Sequence, residues 1–280
     1  MTSLRSNHHS SFLIPHFSFP IPHSSFLISH SSFLIIMICR LDDELWFPDP
    51  HFGDDDGCIA VGGDLSVDRL LLAYSNGIFP WFAFRTNVPA WYCPMQRFVI
   101  FPNEIHVSHS MRTLMNKGRY RLSINEDFEG VIHNCGQLRI DEEGAWLGPN
   151  MMEAYTELHR QGFAASVEVW EKNENQNQNE NQNENQNGNG NENQNENENQ
   201  NGNEDEKLVG GLYGVNIGRA FFGESMFSLV PSASKLALIH LARTLQELGG
   251  SLIDCQFETA HLKSMGGRYI SYDEYMKLIR

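Results

Sequence analysis

No run of 18 apolar residues occurs in this 280-residue chain, so no segment reads as a membrane-spanning helix. The five cysteines (39, 58, 93, 135 and 255) form no C-x-x-C pair. That argues against a structural zinc site or a disulfide framework and for a reduced, cytoplasmic protein. There is no H-E-x-x-H and no G-x-S-x-G elbow, and Gly210-Gly-Leu-Tyr-Gly214 is not followed by the Lys-Ser/Thr of a phosphate-binding loop. Its small residues read instead as strand positions where another backbone comes close. Cations are scarce as well, 20 Lys and Arg against 35 Asp and Glu, for a net charge of −15.

Much of that imbalance belongs to one tract. Between 171 and 206, Asn fills every odd position from 173 to 203, and ten acids against Lys172 carry −9 of the total. With no apolar residue between 173 and 203 the tract cannot build a core, so 171–206 is expected to be a disordered insert lengthening a surface hairpin loop. A second tract, 9–36, is four tandem heptads of the type His9-Ser-Ser-Phe-Leu-Ile-Pro15. Pro15, Pro20 and Pro22 argue against a coiled coil despite the period of seven. Met37 follows at once and opens globular-looking sequence, so translation is expected to start there. A signal peptide fits less well, because Pro and His interrupt the apolar runs, and a His-rich metal-binding tail is a third reading. Without both tracts 208 residues remain, enough for one large domain or for a small one and a mid-sized one.

Residues 46–64 are rich in Gly and Pro and read as loop, and the aromatic patch that follows, 77–82 and 89–94, has a loop context too. Ser66 caps a helix over 68–74, and Ser108 one that runs to about 117. Strands are predicted over 97–101, 120–124 and 164–170, and a hairpin over 208–217 and 219–228 turning at Gly218. Asn125 is expected to cap a helix ending near Gly136, and Asn150 precedes another over 151–160. Ser232 is expected to cap the longest helix, 233–248; a strand over 251–257 and a helix with a Ser271-x-x-Glu274 capping box follow. Strands mixed with helices and hairpins indicate an α+β (mixed) fold.

Three constellations could carry chemistry. Asp254 and Gln256 at i, i+2 would share one face of the last strand, as a hydrogen-bonded core pair or as an active site. Glu224 would share a face with Phe222 and Met226, which suits a primary amine carried on an apolar side chain; a salt bridge to Lys235 or Arg219 is the alternative. Arg97, Arg112, Lys117, Arg119 and Arg121 form a basic run with His106 and His109 among them, either a phosphate-binding surface or a solvated face.

Taken together, Gly62-Gly-Asp-Leu-Ser66, residues 70–74, Gly77-Ile-Phe-Pro-Trp-Phe82, Glu153-Ala-Tyr155, Leu208-Val-Gly-Gly-Leu-Tyr-Gly214, Gly223-Glu-Ser-Met-Phe-Ser228, Ala233-Ser-Lys235 and Leu252-Ile-Asp-Cys-Gln256 resemble the leucyl/phenylalanyl-tRNA–protein transferases in order across 37–280. The resemblance implies a small N-terminal domain (37–94) and a Gcn5-related acetyltransferase-like domain (95–280). It implies transfer of Leu or Phe, less readily Met, from aminoacyl-tRNA (Leu-tRNA, Phe-tRNA) to proteins with an N-terminal Arg or Lys. The product is an N-degron. By matching position it makes Asp254 and Gln256 catalytic, Asp254 polarising Gln256, whose carbonyl draws a proton from the attacking amine. Glu224 would hold the aminoacyl amine in a pocket of Leu212, Phe221, Gly223, Met226, Ser228, Leu241 and Leu245. Tyr74, Trp81, Trp146 and Tyr155 would meet the terminal adenosine, and Arg112, Lys117, Arg119 and Arg121 the acceptor stem. It implies a cytoplasmic monomer with no cofactor, metal or membrane. An acyl-CoA-dependent transferase and a non-catalytic RNA-binding module are the other function classes considered.

Overall fold

The computed structural model describes residues 38–82, 88–137, 147–172 and 206–280. The heptads of 1–36 and most of the Asn-rich tract therefore lie outside the described residues. A four-stranded sheet holds β1 (Cys39–Leu41), β2 (Cys58–Gly62), β3 (Phe79–Phe82) and β4 (Pro89–Tyr92) in the order β1-β2-β4-β3. The Gly- and Pro-rich stretches expected as loop thus contain strands. They are short and border turns, so composition hides them, whereas burial of Ile59, Ala60 and Trp91 defines them. Trp91 donates Nε1–H to the Gly62 carbonyl at 2.9 Å, which satisfies its one polar atom inside the core.

The larger sheet has seven strands in the order β11-β5-β10-β9-β8-β7-β6. These are β5 (Gln96–Ile100), β6 (Tyr120–Ile124), β7 (Ala164–Lys172), β8 (Glu206–Ile217), β9 (Ala220–Ser228), β10 (Leu252–Asp254) and β11 (Arg268–Ser271). The hairpin β8/β9 turns through Gly218, whose φ of 58° provides the left-handed turn position. Strands β7 and β8 pair through Lys172↔Glu206, so Glu171, Lys172 and Glu206, expected at the ends of the insert, belong to the sheet.

Seven α-helices occur among the described residues: α1 (Val67–Ser75), α2 (His109–Asn116), α3 (Phe128–Gln137), α4 (Pro149–Arg160), α5 (Ala233–Glu247), α6 (Ala260–Ser264) and α7 (Tyr272–Ile279). Side-chain oxygens of Ser66, Ser108 and Ser271 accept from the third residue beyond, as expected of N-caps. Two expected caps are different. Asn125 accepts from Ser166 N–H, and Asp127 takes the α3 cap by accepting from Gly130 N–H. Ser232 has a φ of 74° and makes no side-chain cap, while Ser228 Oγ accepts from Ser234 N–H.

Helix α5 covers one face of the large sheet over Val167, Val169, Leu212, Phe221 and Ile253. The other face, with Tyr213, Phe222 and Phe227, packs in one cluster with α1, α3, α4, α7 and the small sheet. The glycines of β8 allow this closeness. A Cβ on Gly210 would come within 2.4 Å of Ala233, and one on Gly214 within 2.1 Å of the Phe222 carbonyl oxygen.

Candidate active site

Strands β9 and β10 run parallel and pair only from Leu252↔Ala220 to Asp254↔Phe222. Beyond that point they part, and two local irregularities shape the gap. In β9, Tyr213 of β8 faces Ser225 and the next residue, Gly214, faces Gly223, so Glu224 is the extra residue of a bulge. The bulge changes parity. Phe222 packs in the cluster with α1 and α4, while Met226 packs in the cluster with α5. The single face expected for Phe222, Glu224 and Met226 therefore does not exist.

In the other wall, β10 ends at Asp254, and Gln256 has a φ of 57°. The expected strand over 251–257 thus stops early, and Asp254 and Gln256 are not two positions of one strand face. Asp254 Oδ1 accepts from the Gln256 backbone N–H at 2.9 Å, an Asx-turn that fixes the departing chain. A left-handed non-glycine residue costs of order 1–2 kcal/mol and persists only where its surroundings hold it. Here Phe98 N–H also donates to the Gln256 carbonyl at 3.3 Å.

Asp254 itself is 0% exposed. Arg97 donates Nε–H to both of its oxygens at 3.0 Å, and the Tyr275 hydroxyl donates at 2.7 Å. Arg97, 1% exposed, also donates from Nη2 to the Gly77 carbonyl at 2.7 Å and lies between the rings of Phe79 and Tyr275. Burial alone would lower the guanidinium pKa, but Asp254 and Tyr275 raise it above its ordinary value. Burial drives the Tyr275 hydroxyl well up, partly offset by Arg97. These two residues were not recognised as site residues in the sequence. Arg97 was counted in the basic run, although a lone cation beginning the apolar strand Arg97-Phe-Val-Ile100 was the signal that it is buried.

Glu224 is the second polar centre. Tyr74 of α1 donates to Oε1 at 2.7 Å and Tyr155 of α4 to Oε2 at 2.6 Å, with the two hydroxyls 2.8 Å apart. Both tyrosines are 0% exposed and have no ring face open to a base, so they support the carboxylate rather than stack on an adenosine. Burial raises the Glu224 carboxyl from 4.5 to about 7, although the Tyr155 and Tyr74 hydrogen bonds pull it down. With both hydroxyls turned to the carboxylate, no proton is left for the contact between them; a protonated Glu224 would fill it by donating to one tyrosine, which then donates to the other.

Glu224 stands in the wall of a cavity of about 530 Å³, which Gln256 also lines. Its apolar wall includes Leu212, Phe221, Met226, Leu238, Leu241 and Ile253, with Gly223 beside them; Phe79, Trp81 and Phe257 form an aromatic side; Glu224, Ser225, Gln256, Thr259 and His261 are its polar wall. Trp81 is 37% exposed and lies 5.4 Å from the Phe257 ring. Two expected pocket residues are elsewhere. Ser228 is exposed and caps α5, and Leu245 does not line the cavity but packs under Gly250. Trp146 lies outside the described residues. In the basic run, Arg112 and Lys117 are exposed on or just after α2, but Arg119 pairs with Glu171 at 2.6 Å and Arg121 with Glu206 at 2.7 Å and Glu126 at 2.8 Å. The run is therefore not one free cationic stripe.

The profile of the leucyl/phenylalanyl-tRNA protein transferase matches residues 99–176 and 200–280, and that of its N-terminal domain matches 63–95. The chain belongs to this family. Leucyl/phenylalanyl-tRNA–protein transferases from Syntrophobacter fumaroxidans and Flavobacterium johnsoniae are 41% and 40% identical to it, over 86% and 85% of this chain and 89% and 96% of theirs. The one from Pseudomonas fluorescens is 44% identical over 78% of this chain and 81% of its own. As a family member the protein is an aminoacyltransferase acting between tRNA and protein. The strand pair carrying Glu224 and Asp254 falls wholly within the matched segments.

Proposed function

We propose that the protein takes Leu or Phe, and less readily Met, from its aminoacyl-tRNA and joins it to the α-amine of a protein beginning with Arg or Lys. The product carries a destabilising N-terminus. The observation that supports this most is a carboxylate, Glu224, set in the wall of a mostly apolar cavity of about 530 Å³. An aminoacyl ester presents that combination: an α-ammonium for the carboxylate and an apolar side chain for Leu212, Phe221, Met226 and Leu241. The step itself needs no external reagent. The acceptor nitrogen forms a C–N bond to the ester carbon, the ester C–O bond breaks, and the proton lost by the amine leaves on the ribose oxygen.

In this reading Gln256 holds the acceptor amine through its side-chain carbonyl. Asp254 is a positioning residue: its lone pairs already serve Arg97, Tyr275 and the Gln256 backbone N–H, so it sets the Gln256 conformation and has no free face for substrate. Trp81 is the exposed aromatic suited to the terminal adenosine, and Arg112 and Lys117 are the exposed cations suited to acceptor-stem phosphates. We read the large sheet, with its parallel pair parting at the site, as an acetyltransferase-like domain from 95 to 280 following a small domain from 37 to 94. The protein acts as a cytoplasmic monomer.

The test is transfer of labelled leucine from Leu-tRNA to a peptide beginning with Arg, with a peptide beginning with Ala as control. Label in the first peptide alone is expected. Intact Leu-tRNA bound without transfer would contradict the reading and favour an RNA-binding module; label taken instead from an acyl-CoA donor would favour the acyl-CoA class.

A further inference from the structure

Gln256 is held in a backbone conformation that its neighbours must enforce. Its φ is 57°, and the Phe257 N–H donates back to the Cys255 carbonyl at 2.6 Å. An N–H bonded to the carbonyl two residues back, across a residue of positive φ, makes the rare and strained form of the γ-turn. Such strain persists only where the surrounding structure over-determines it, and here it sits in the cavity wall. Upstream, Asp254 Oδ1 accepts from the Gln256 N–H. Phe98 donates its N–H to the Gln256 carbonyl and accepts from the Cys255 N–H. Downstream, Glu258, Thr259 and Ala260 are exposed, whereas Phe257 packs against the core cluster. The Phe257 ring is therefore what pins the far end of the turn.

That ring has two aromatic neighbours. Phe79 meets it edge-on, with centroids 5.8 Å apart at 79°, and Trp81 meets it at 5.4 Å and 42°. Phe79 also lies 4.7 Å from the Arg97 guanidinium, and Arg97 holds Asp254. Both ends of the turn are thus tied to Phe79, one through Asp254 and Arg97, the other through Phe257. Trp81 is held less firmly. It stands next to the last residue of β3, an edge strand of the small sheet, and is 37% exposed. It is also the residue assigned above to the terminal adenosine. The Trp81 and Phe257 rings are in contact and leave no room for a base between them, so an adenine stacks on Trp81 from outside the pair. Whatever orders Trp81 then orders Phe257. All three aromatics line the cavity beside Gln256.

Resting on the function proposed above, we propose that Phe257 is a positioning residue that links the two substrates. Adenosine stacked on Trp81 holds the Phe257 ring, the ring holds the strained turn, and the turn aims the Gln256 side chain at the acceptor amine. The acceptor therefore binds best once the donor is in place. By linkage, the donor is held more tightly by the same factor when the acceptor is present. Phe257 itself touches no reacting atom.

The test uses full-length protein, an Arg-initiated peptide with a fluorophore at its C-terminus, and leucyl-adenosine with an amide in place of the ester as an unreactive donor mimic. Peptide affinity, read by fluorescence anisotropy, should rise about tenfold when the mimic saturates the wild type. In Phe257→Ala that gain should fall below about twofold, while affinity for the mimic alone stays within about threefold. The gain is the readout because a merely structural loss would weaken peptide binding equally with and without the mimic. Trp81→Ala at saturating mimic should remove the same gain, and the double variant should lose no more than either single one. Phe257→Leu, which keeps most of the apolar volume but no ring, should fall between, and it carries the test if Phe257→Ala melts below the assay temperature. A Phe257→Ala gain equal to that of the wild type would overturn the assignment, and so would a wild type that shows no gain. A changed preference between leucyl and phenylalanyl mimics with the gain intact would place Phe257 in the donor pocket and overturn it too. A wild type that moves no leucine from Leu-tRNA to the peptide would overturn the function reading and this assignment together, whereas an active wild type with an undiminished gain in Phe257→Ala would overturn the assignment alone.

Discussion

Replacing Glu224 by Gln should make the protein more stable and less active, and the stability gain should depend on pH. The unfolded carboxyl ionises at its ordinary 4.5, while the folded one keeps its proton up to about 7. Between those values the native state binds more protons than the unfolded chain, so this group makes stability fall as pH rises. A difference of about 2.5 pH units at about 1.4 kcal/mol each is worth about 3 kcal/mol at pH 7, and almost nothing at pH 4. Gln has the shape of the protonated acid and does not titrate. Its carbonyl accepts from one tyrosine and its N–H donates to the other, so the three contacts among Glu224, Tyr74 and Tyr155 can all be kept. Glu224→Gln should therefore raise the melting temperature by about 6–12 °C at pH 7, with the gain vanishing towards pH 4. The same change should lower kcat/KM for aminoacyl-tRNA about 100-fold, because a neutral amide replaces the charged partner of the ammonium. Thermal unfolding of both proteins from pH 4 to pH 8 is the assay. A variant equally stable or less stable at pH 7, or a difference that does not change with pH, would refute the reasoning.

Three further outcomes follow from the same geometry. Tyr155→Phe removes a donor that lowers the Glu224 pKa, so the acid limb of the kcat/KM profile should move to higher pH; an unmoved limb would separate Tyr155 from the titration. Asp254→Ala leaves Arg97 buried without its carboxylate and should destabilise the protein by about 3–5 kcal/mol, measured by urea unfolding, with transfer by the folded fraction also impaired. Joining Lys172 to Glu206 by Asn-Gly in place of 173–205 should leave transfer within a few-fold, because those two residues already pair across the hairpin; loss of cooperative melting would show that the tract does more than extend a loop.

The sequence made local structure visible and long-range partnership much less so. Ser66, Ser108 and Ser271 announce their helices because a cap is decided within four residues. The β8/β9 hairpin was legible from alternation around Gly218, but the bulge at Glu224 was not, since an inserted residue leaves the neighbouring apolar spacing intact while moving Met226 to the other face. Gln256 looked like a strand residue because polar and apolar residues keep alternating past Asp254. What ends the strand is the Asx-turn and the parting of β9 from β10, neither of which spacing encodes. Arg97 reaches Asp254 across 157 residues, and no pattern in a single sequence joins them. Tyr74 and Tyr155 were picked out as aromatics near the site, but their use came from burial: their hydroxyls, not their rings, do the work.

The claim at the centre of this account is that Glu224 recognises a free α-ammonium on the donor. Transfer from Leu-tRNA compared with transfer from N-acetyl-Leu-tRNA tests it most directly. Acetylation removes the charge and leaves the apolar side chain, so the acetylated donor should react at least about 100-fold more slowly with the wild type, and Glu224→Gln should remove most of that preference. Equal transfer from the two donors by the wild-type protein would contradict it.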